Sequence, residues 1–273
     1  FIGTRSVPGI FGINPKHQLL ENDGKGSFKD VTDGKAYILN DLGMITDASW
    51  SDTNSDDKKD LVLTGDWMAP KILLNNGNSF KLADNNLNEI SGAWTALSVF
   101  DINKDENPDF ILGNRGTNSF YQTSAENPVK VYINDFDNNG TIEQIFTRNI
   151  DGKDVPVHLR RELAGQISAI KKQNLKFSEY ATKSIQELFS TEIVENSIVK
   201  EITTFNSLLA LSDSKGNYEF KELPAEAQFS SIHAIEHLTT KNGNNYFLLA
   251  GNDFDLKPQF SRLDANKGLL LKV

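Results

Sequence analysis

One spacing constrains this chain more than any other: an acidic run with Asp at position 1, Asn or Asp at positions 3 and 5, and a carboxylate at position 9. It occurs three times without a gap. The first copy is Asp52, Asn54, Asp56 and Asp60, the second Asp101, Asn103, Asp105 and Asp109, and the third Asp135, Asp137, Asn139 and Glu143. Short apolar, β-branched runs flank each copy: 44–50 and 61–63, 93–100 and 110–112, 129–134 and 144–146. Each unit reads as strand, loop, strand, so the chain is committed to repeated antiparallel hairpins.

Alternate residues of a tight loop can aim their side chains at one point, and here every such side chain is an oxygen donor. Calcium takes six to eight oxygens at about 2.3–2.6 Å. Positions 1, 3, 5 and 9 suit it, and the backbone carbonyls of Lys58, Asn107 and Thr141 would supply position 7 as in EF-hand loops. Turns alone also select Asp and Asn, but a turn does not call for a carboxylate at position 9 in three copies. The expectation is Ca2+ at up to three sites, structural rather than catalytic, because opposed carboxylates repel until a cation neutralises them. The motif holds no sulfur or histidine, which disfavours soft metals. Position 6, glycine in such loops, is Gly140 in the third copy but Asp57 and Glu106 in the others, so those two loops are expected to be strained or weaker. A fourth loop would place Leu238, Thr240, Asn242 and Tyr246 at the ligand positions; it offers no carboxylate and is expected to bind no ion.

A second recurring unit is a hairpin turning on Asn, Asp and Gly, at residues 19–28, 73–80 and 209–220. Acidic hairpin followed by turn hairpin gives four antiparallel strands in about 40–50 residues, the size of one propeller blade. Residues 44–82 make one complete blade. The chain opens in the later strands of a blade and closes, from 232 to 273, in the earlier strands of another. The expected fold is all-β: a β-propeller of four-stranded antiparallel blades, complete or partial, spanning 1–273. Between Leu159 and Phe189, however, apolar residues fall at helical spacing. Two helices are predicted there, in an insertion of about 158–200 between the second and third strands of the blade carrying Asp135. Asp135 follows Asp101 more closely than Asp101 follows Asp52, which makes the second blade short or irregular.

The acidic loops, the strand endings Thr64-Gly65-Asp66, Gly113-Asn114-Arg115-Gly116 and Ala250-Gly251-Asn252, and the turn from Asn22 to Phe28 resemble those of FG-GAP/VCBS repeat proteins. The resemblance covers most of the chain. It is nearest to bacterial, Bacteroidetes-like surface members that often occur beside an ASPIC/UnbV domain; integrin α-chain propellers share the repeat. It implies an extracytoplasmic binding or scaffold module at a bacterial cell surface or in the periplasm, lipid-anchored through a segment outside this sequence. Its partner would be a protein or a glycan, in an outer-membrane complex. A propeller-based polysaccharide lyase or glycoside hydrolase is the alternative.

Composition narrows the partners. Lys+Arg 28 against Asp+Glu 37 gives a formal charge of −9, which argues against nucleic acid. No apolar run approaches the roughly 20 residues of a spanning helix, and the absence of cysteine removes disulfides and thiolate metal sites. The first residues lack the zones of a signal peptide and read as a processed or truncated chain.

Loops joining a blade's second strand to its third, or one blade to the next, lie opposite the acidic loops. Candidate partner-binding residues on that face are Arg5, Asp66, Trp67, Arg115, Asn118, Asn252 and Phe254. His158, Arg160, Arg161 and Glu162 read as a solvated charged face at a helix start. His233 and His237, on one side of a strand with Ile235, read as core or channel-lining groups. Within the helical stretch, Leu175, Phe177, Tyr180 and Phe189 are expected to present an exposed apolar patch to a partner.

Overall fold

The structure is a computed structural model and describes residues 1–213, 215–257, 260 and 262–272. Ser214, in the turn of the 209–220 hairpin, and Val273 at the end of the last predicted blade lie outside the described residues.

Strands β1 (Leu20–Asn22) and β2 (Phe28–Asp30) pair across a turn in which Asp23 Oδ1 accepts the amides of Lys25 and Ser27 at 2.7 and 3.0 Å. A single helical turn, α1 (Thr32–Lys35), follows. Then come β3 (Met44–Ser51), β4 (Asp60–Met68), β5 (Lys71–Asn75) and β6 (Phe80–Leu82), an antiparallel blade in simple sequential order, with β7 (Gly92–Ala93) added against the end of β4. β4 is buried along nearly its whole length, as expected of a strand covered on both faces.

The second blade begins with β8 (Ala96–Phe100) and β9 (Asp109–Gly113), and the chain then leaves it. Residues β10 (Val129–Asn134), β11 (Glu143–Ile150) and β12 (Lys153–Pro156) build a separate sheet. Five short helices follow: α2 (Arg160–Gln166), α3 (Ala169–Gln173), α4 (Phe177–Ala181), α5 (Ile185–Leu188) and α6 (Thr191–Glu195). β13 (Ile198–Ile202) closes that sheet beside β10. Only then does the chain return to the second blade as β14 (Leu208–Ser212), paired with β9, and β15 (Tyr218–Glu222). The last sheet is β16 (Ala234–Thr239), β17 (Asn245–Ala250) and β18 (Leu269–Lys272). The fold is all-β and propeller-like, built of antiparallel four-stranded sheets with a few helices.

Two expectations about the second blade change. The 209–220 hairpin completes the blade of Asp101, not that of Asp135; the third acidic hairpin belongs to a sheet inserted between strands two and three of the second blade. The short interval before Asp135 has the same cause, because the second blade is interrupted there rather than short. A pinned neck makes the interruption possible: Asn114 donates to the carbonyls of Thr204 and Asn206, its own amide donates to Ser207 Oγ, and Gly116 N donates to Phe205 O at 2.9 Å. Leu112 can therefore pair with Leu208 as though the chain were continuous.

The helices number five rather than two, and they follow the third strand of their sheet rather than the second. Local capping divides the periodic stretch. Ser184 and Glu187 cap each other's backbone, with Ser184 N donating to Glu187 Oε2 at 2.8 Å, and Ser190 Oγ accepts from Ile193 N. Each cap satisfies amides that a continuous helix would direct to the preceding turn. The helices bury Leu163, Ile167, Ile170, Ile185 and Leu188 over Tyr132 and Ile145 of β10 and β11.

Between blades the core is layered. Val62 and Ile72 of one blade meet Phe110, Leu112, Ala210 and Tyr218 of the next, with Trp94 among them, its Nε1–H donating to Met68 O at 2.9 Å. Ala96 and Ile111 face Phe247 and Leu249 on the following sheet. The leading strands β3, β8 and β16 thus stand side by side, which sets all the acidic loops of the two main blades at one end and the opposite loops at the other.

Candidate metal loops and ligand cavity

The three acidic loops share one backbone. Positions 4 and 6 are left-handed in every copy: Ser55 and Asp57 at φ 59 and 63, Lys104 and Glu106 at 65 and 68, Asn138 and Gly140 at 56 and 87. The position 1 carboxylate accepts the amides of positions 5 and 6 each time. The distances are 3.1 and 2.9 Å at Asp52, 3.1 and 3.0 Å at Asp101, and 2.9 and 2.7 Å at Asp135. Position 9 accepts the amide of position 2: Asp60 from Thr53 at 2.9 Å, Asp109 from Ile102 at 2.8 Å, Glu143 from Phe136 at 3.0 Å. Asp57 and Glu106 therefore take the conformation that glycine takes in the third copy, against a steric cost of roughly 1–2 kcal/mol each.

The copies differ at their centres. Asp135, Asp137 and Glu143 bring one carboxylate oxygen each within 4.8 Å of one another, the one such trio of acidic or histidine groups among the described residues. Asp137 Oδ1 is buried without a hydrogen-bond partner, an orphan that a hard cation would satisfy. Burial, and then the nearby charges of Asp137 and Asp135, push the Glu143 carboxyl above its ordinary range. In the first copy the Asp56 carboxylate is instead occupied by Lys58 Nζ at 3.1 Å, and in the second Asp105 accepts from the Asn103 amide at 2.9 Å. Asp60 and Asp109 each spend the second oxygen on a strand, accepting from Asn75 N and Ser212 N, both at 2.8 Å. The residues of the third loop fit calcium best.

At the other end of the strands lies a cavity of about 900 Å³. Arg5, Asp66, Trp67 and Arg115 from the second-face candidates all line it. Asn118 borders a different cleft beside Glu222 and Phe229, Asn252 is tied to Ser230 and Asn266, and Phe254 is exposed outside the cavity. Arg5 pairs with Asp66 at 2.8 Å. Trp67 sits at φ 57, a strained conformation for a bulky residue, and its ring packs 5.6 Å from Phe146 of the inserted sheet. Arg115 lies over the Tyr121 ring at 5.5 Å with its Nε buried and unpartnered.

Several lining groups escaped the sequence reading. Tyr121, Phe146 and Phe205 come from the inserted segment, and Lys257 and Phe260 from the loop before β18. Asp253 accepts from Ser231 Oγ at 2.5 Å and contacts His233 Nε2 at 2.8 Å. Hydrogen bonding from His233 holds its carboxyl below the usual range. The strand ending Gly251-Asn252 carried that signal, one residue short of the group that matters. His237 stacks on Phe100 at 3.8 Å as a packing group. His158 corrects the reading of a solvated face: it is largely buried on the cavity wall against Phe146, and burial drives its pKa down to about 4.

With the loops, the blade and the cavity in place, comparison with known families gives one match, to the FG-GAP-like repeat over residues 52–112. This stretch is an FG-GAP-like repeat. The FG-GAP-like match begins at position 1 of the first acidic loop and ends in β9, so it takes in both loops of the two main blades and the turn hairpin between them. No curated protein and no solved structure matches the chain.

Proposed function

We propose that this chain is a calcium-stabilised, extracytoplasmic propeller module that binds a glycan partner in the cavity opposite its acidic loops. The observation that carries the reading is the convergence of Arg5, Asp66, Trp67 and Arg115 on one cavity walled by both blades and the inserted sheet. Aromatic faces of Trp67, Tyr121, Phe146 and Phe205 suit the apolar faces of sugar rings. Paired donors and acceptors between them, Arg5 with Asp66 and His233 with Asp253, suit vicinal hydroxyls. The FG-GAP-like repeat supports a binding module, and no helix among the described residues is long and apolar enough to cross a membrane.

Extracellular calcium modules work at about 10⁻⁴–10⁻³ M, which suits loops with only partial carboxylate convergence and an extracytoplasmic place such as a bacterial cell surface. Asp253, one of the three carboxylates lining the cavity among the described residues, is held below its ordinary range by His233, unlike the raised carboxyl a hydrolase uses as acid. The test is a panel of oligosaccharides titrated calorimetrically against wild type, Trp67→Ala and Arg115→Gln. A sugar that binds wild type and loses at least tenfold affinity in both variants, with unchanged melting, supports the reading. Silence across the panel, or binding indifferent to both substitutions, overturns it.

A further inference from the structure

A second concavity of about 490 Å³ opens beside the first, sharing only the wall of Val157 and His158 with it. Its floor is Ile150, Val155 and Pro156 of the inserted sheet, and its sides are Phe120 and Phe177. Three arginines rim it, Arg148, Arg160 and Arg161, and among the described residues no carboxylate lines it. That is a strong local asymmetry in a chain with formal charge −9. The Arg148 guanidinium lies 4.4 Å over the Phe120 ring and that of Arg160 lies 5.0 Å over Phe177. Stacked in this way, a guanidinium keeps its edge N–H groups for a planar oxyanion. Arg160 spends two of them on the carbonyls of Asn174 and Lys171. Arg148 and Arg161 have no ion-pair partner among the described residues. Glu162, the nearest acid on α2, is engaged by Lys257 at 3.1 Å and by the Leu159 amide at 3.0 Å.

We infer that this groove binds a small amphipathic carboxylate, its alkyl or aryl body on the floor of Ile150, Val155 and Pro156 between Phe120 and Phe177 and its head group against Arg148 and Arg161. Charge complementarity selects the head, and the apolar lining, within the size range of small-molecule sites, selects the body. The site is separate from the glycan cavity, so either reading can fail alone.

The probe is decanoate, titrated calorimetrically below its micelle concentration into the full chain, beside decyltrimethylammonium and decanol. Saturable one-to-one binding of decanoate, at least tenfold tighter than either comparator, is expected. Arg148→Gln and Arg161→Gln should each weaken it at least fivefold, and Ala181→Trp, which crowds the groove and leaves the arginines in place, should abolish it. Circular dichroism melts establish that each variant is folded, and the Trp variant serves as the independent readout should an arginine variant unfold. Equal binding of the cationic comparator, no saturable decanoate binding, or decanoate binding untouched by Ala181→Trp overturns the inference, as does capture of acidic peptides alone.

Discussion

Asp109 accepts the amide hydrogen of Ser212 at 2.8 Å, across 103 residues of chain. Asp60 does the same to Asn75 at the same distance across only 15. The position 9 carboxylate therefore does more than close its loop: it ties the loop to the third strand of its blade, and in the second blade it does so over an entire inserted sheet.

Asp109→Ala should leave the amides of Ile102 and Ser212 orphaned in a fully buried site. Each orphan costs about 1–3 kcal/mol, so urea denaturation should show a large fall in midpoint, matched by Asp60→Ala. A small effect at Asp109 beside a large one at Asp60 would mean that the interrupted blade is held by its neck alone.

Calcium should stabilise the fold chiefly through the third loop. At a hundredfold excess over Kd, binding to the folded state alone adds about 2.7 kcal/mol, so chelator should lower Tm. Asp137→Asn should remove most of the chelator-sensitive part, because it replaces the group whose Oδ1 is buried and unpartnered. A chelator shift that persists in full in this variant would move the principal ion to the first or second loop.

Asp57→Gly and Glu106→Gly should each stabilise the chain, by up to about 1 kcal/mol, since both sit at positive φ with a Cβ. Gly140→Ala should cost a similar amount by the reverse argument. Thermal melts of the three variants check the pattern, and destabilisation by both glycines would show that the side chains contribute more than the strain removes.

The loops were legible because their chemistry is local: a tight turn presents residues 1, 3, 5 and 9 whatever surrounds it. The expected strain at Asp57 and Glu106 was legible for the same reason. The owner of the 209–220 hairpin was not, since pairing of Leu112 with Leu208 is decided by the neck at Asn114, whose role no periodicity records. The cavity was half legible. Arg5, Asp66, Trp67 and Arg115 follow from strand endings, but Phe146 arrives from an inserted sheet, and Tyr121 and Phe205 from the segments leading into and out of it, whose docking is a tertiary event. Of the predicted apolar patch, Leu175 and Phe177 are 79% and 67% exposed, while Tyr180 is buried and donates to His158 O, and Phe189 packs on Phe136. Helical spacing names a face without saying which sheet will cover it.

Acid should weaken the chain through His158. Its pKa near 4 in the folded state, against an ordinary 6.5, means that the unfolded chain takes up the proton first. The stability is present in full above about pH 6.5 and falls as pH drops toward 4, by on the order of 3 kcal/mol. His17, also lowered by burial, adds to the same slope. His158→Phe should flatten the loss between pH 6.5 and 4 in urea melts. A variant with the wild-type slope would assign acid sensitivity to other groups.

The inserted sheet should be removable without dismantling the propeller. Asn114 and Gly116 bind Thr204 to Ser207 directly, so the two strands of the neck already approach each other. Replacing 117–203 with a short glycine-containing turn keeps the pairing of β9 with β14 and the bridge from Asp109 to Ser212. What is lost is the packing of Val129, Ile202 and Tyr121 against Ala93, Trp67 and the retained Phe205, side chains worth about 1.5–3 kcal/mol each when buried. The excised chain should fold with a lower Tm and keep its β circular dichroism. It should lose the third acidic loop, and with it most of the chelator response, as well as any ligand of the cavity, whose wall of Tyr121 and Phe146 is gone. A chain that fails to fold would show that the blade needs its insertion as a core element. Undiminished ligand binding by a folded excision variant would place the binding surface on the blades themselves.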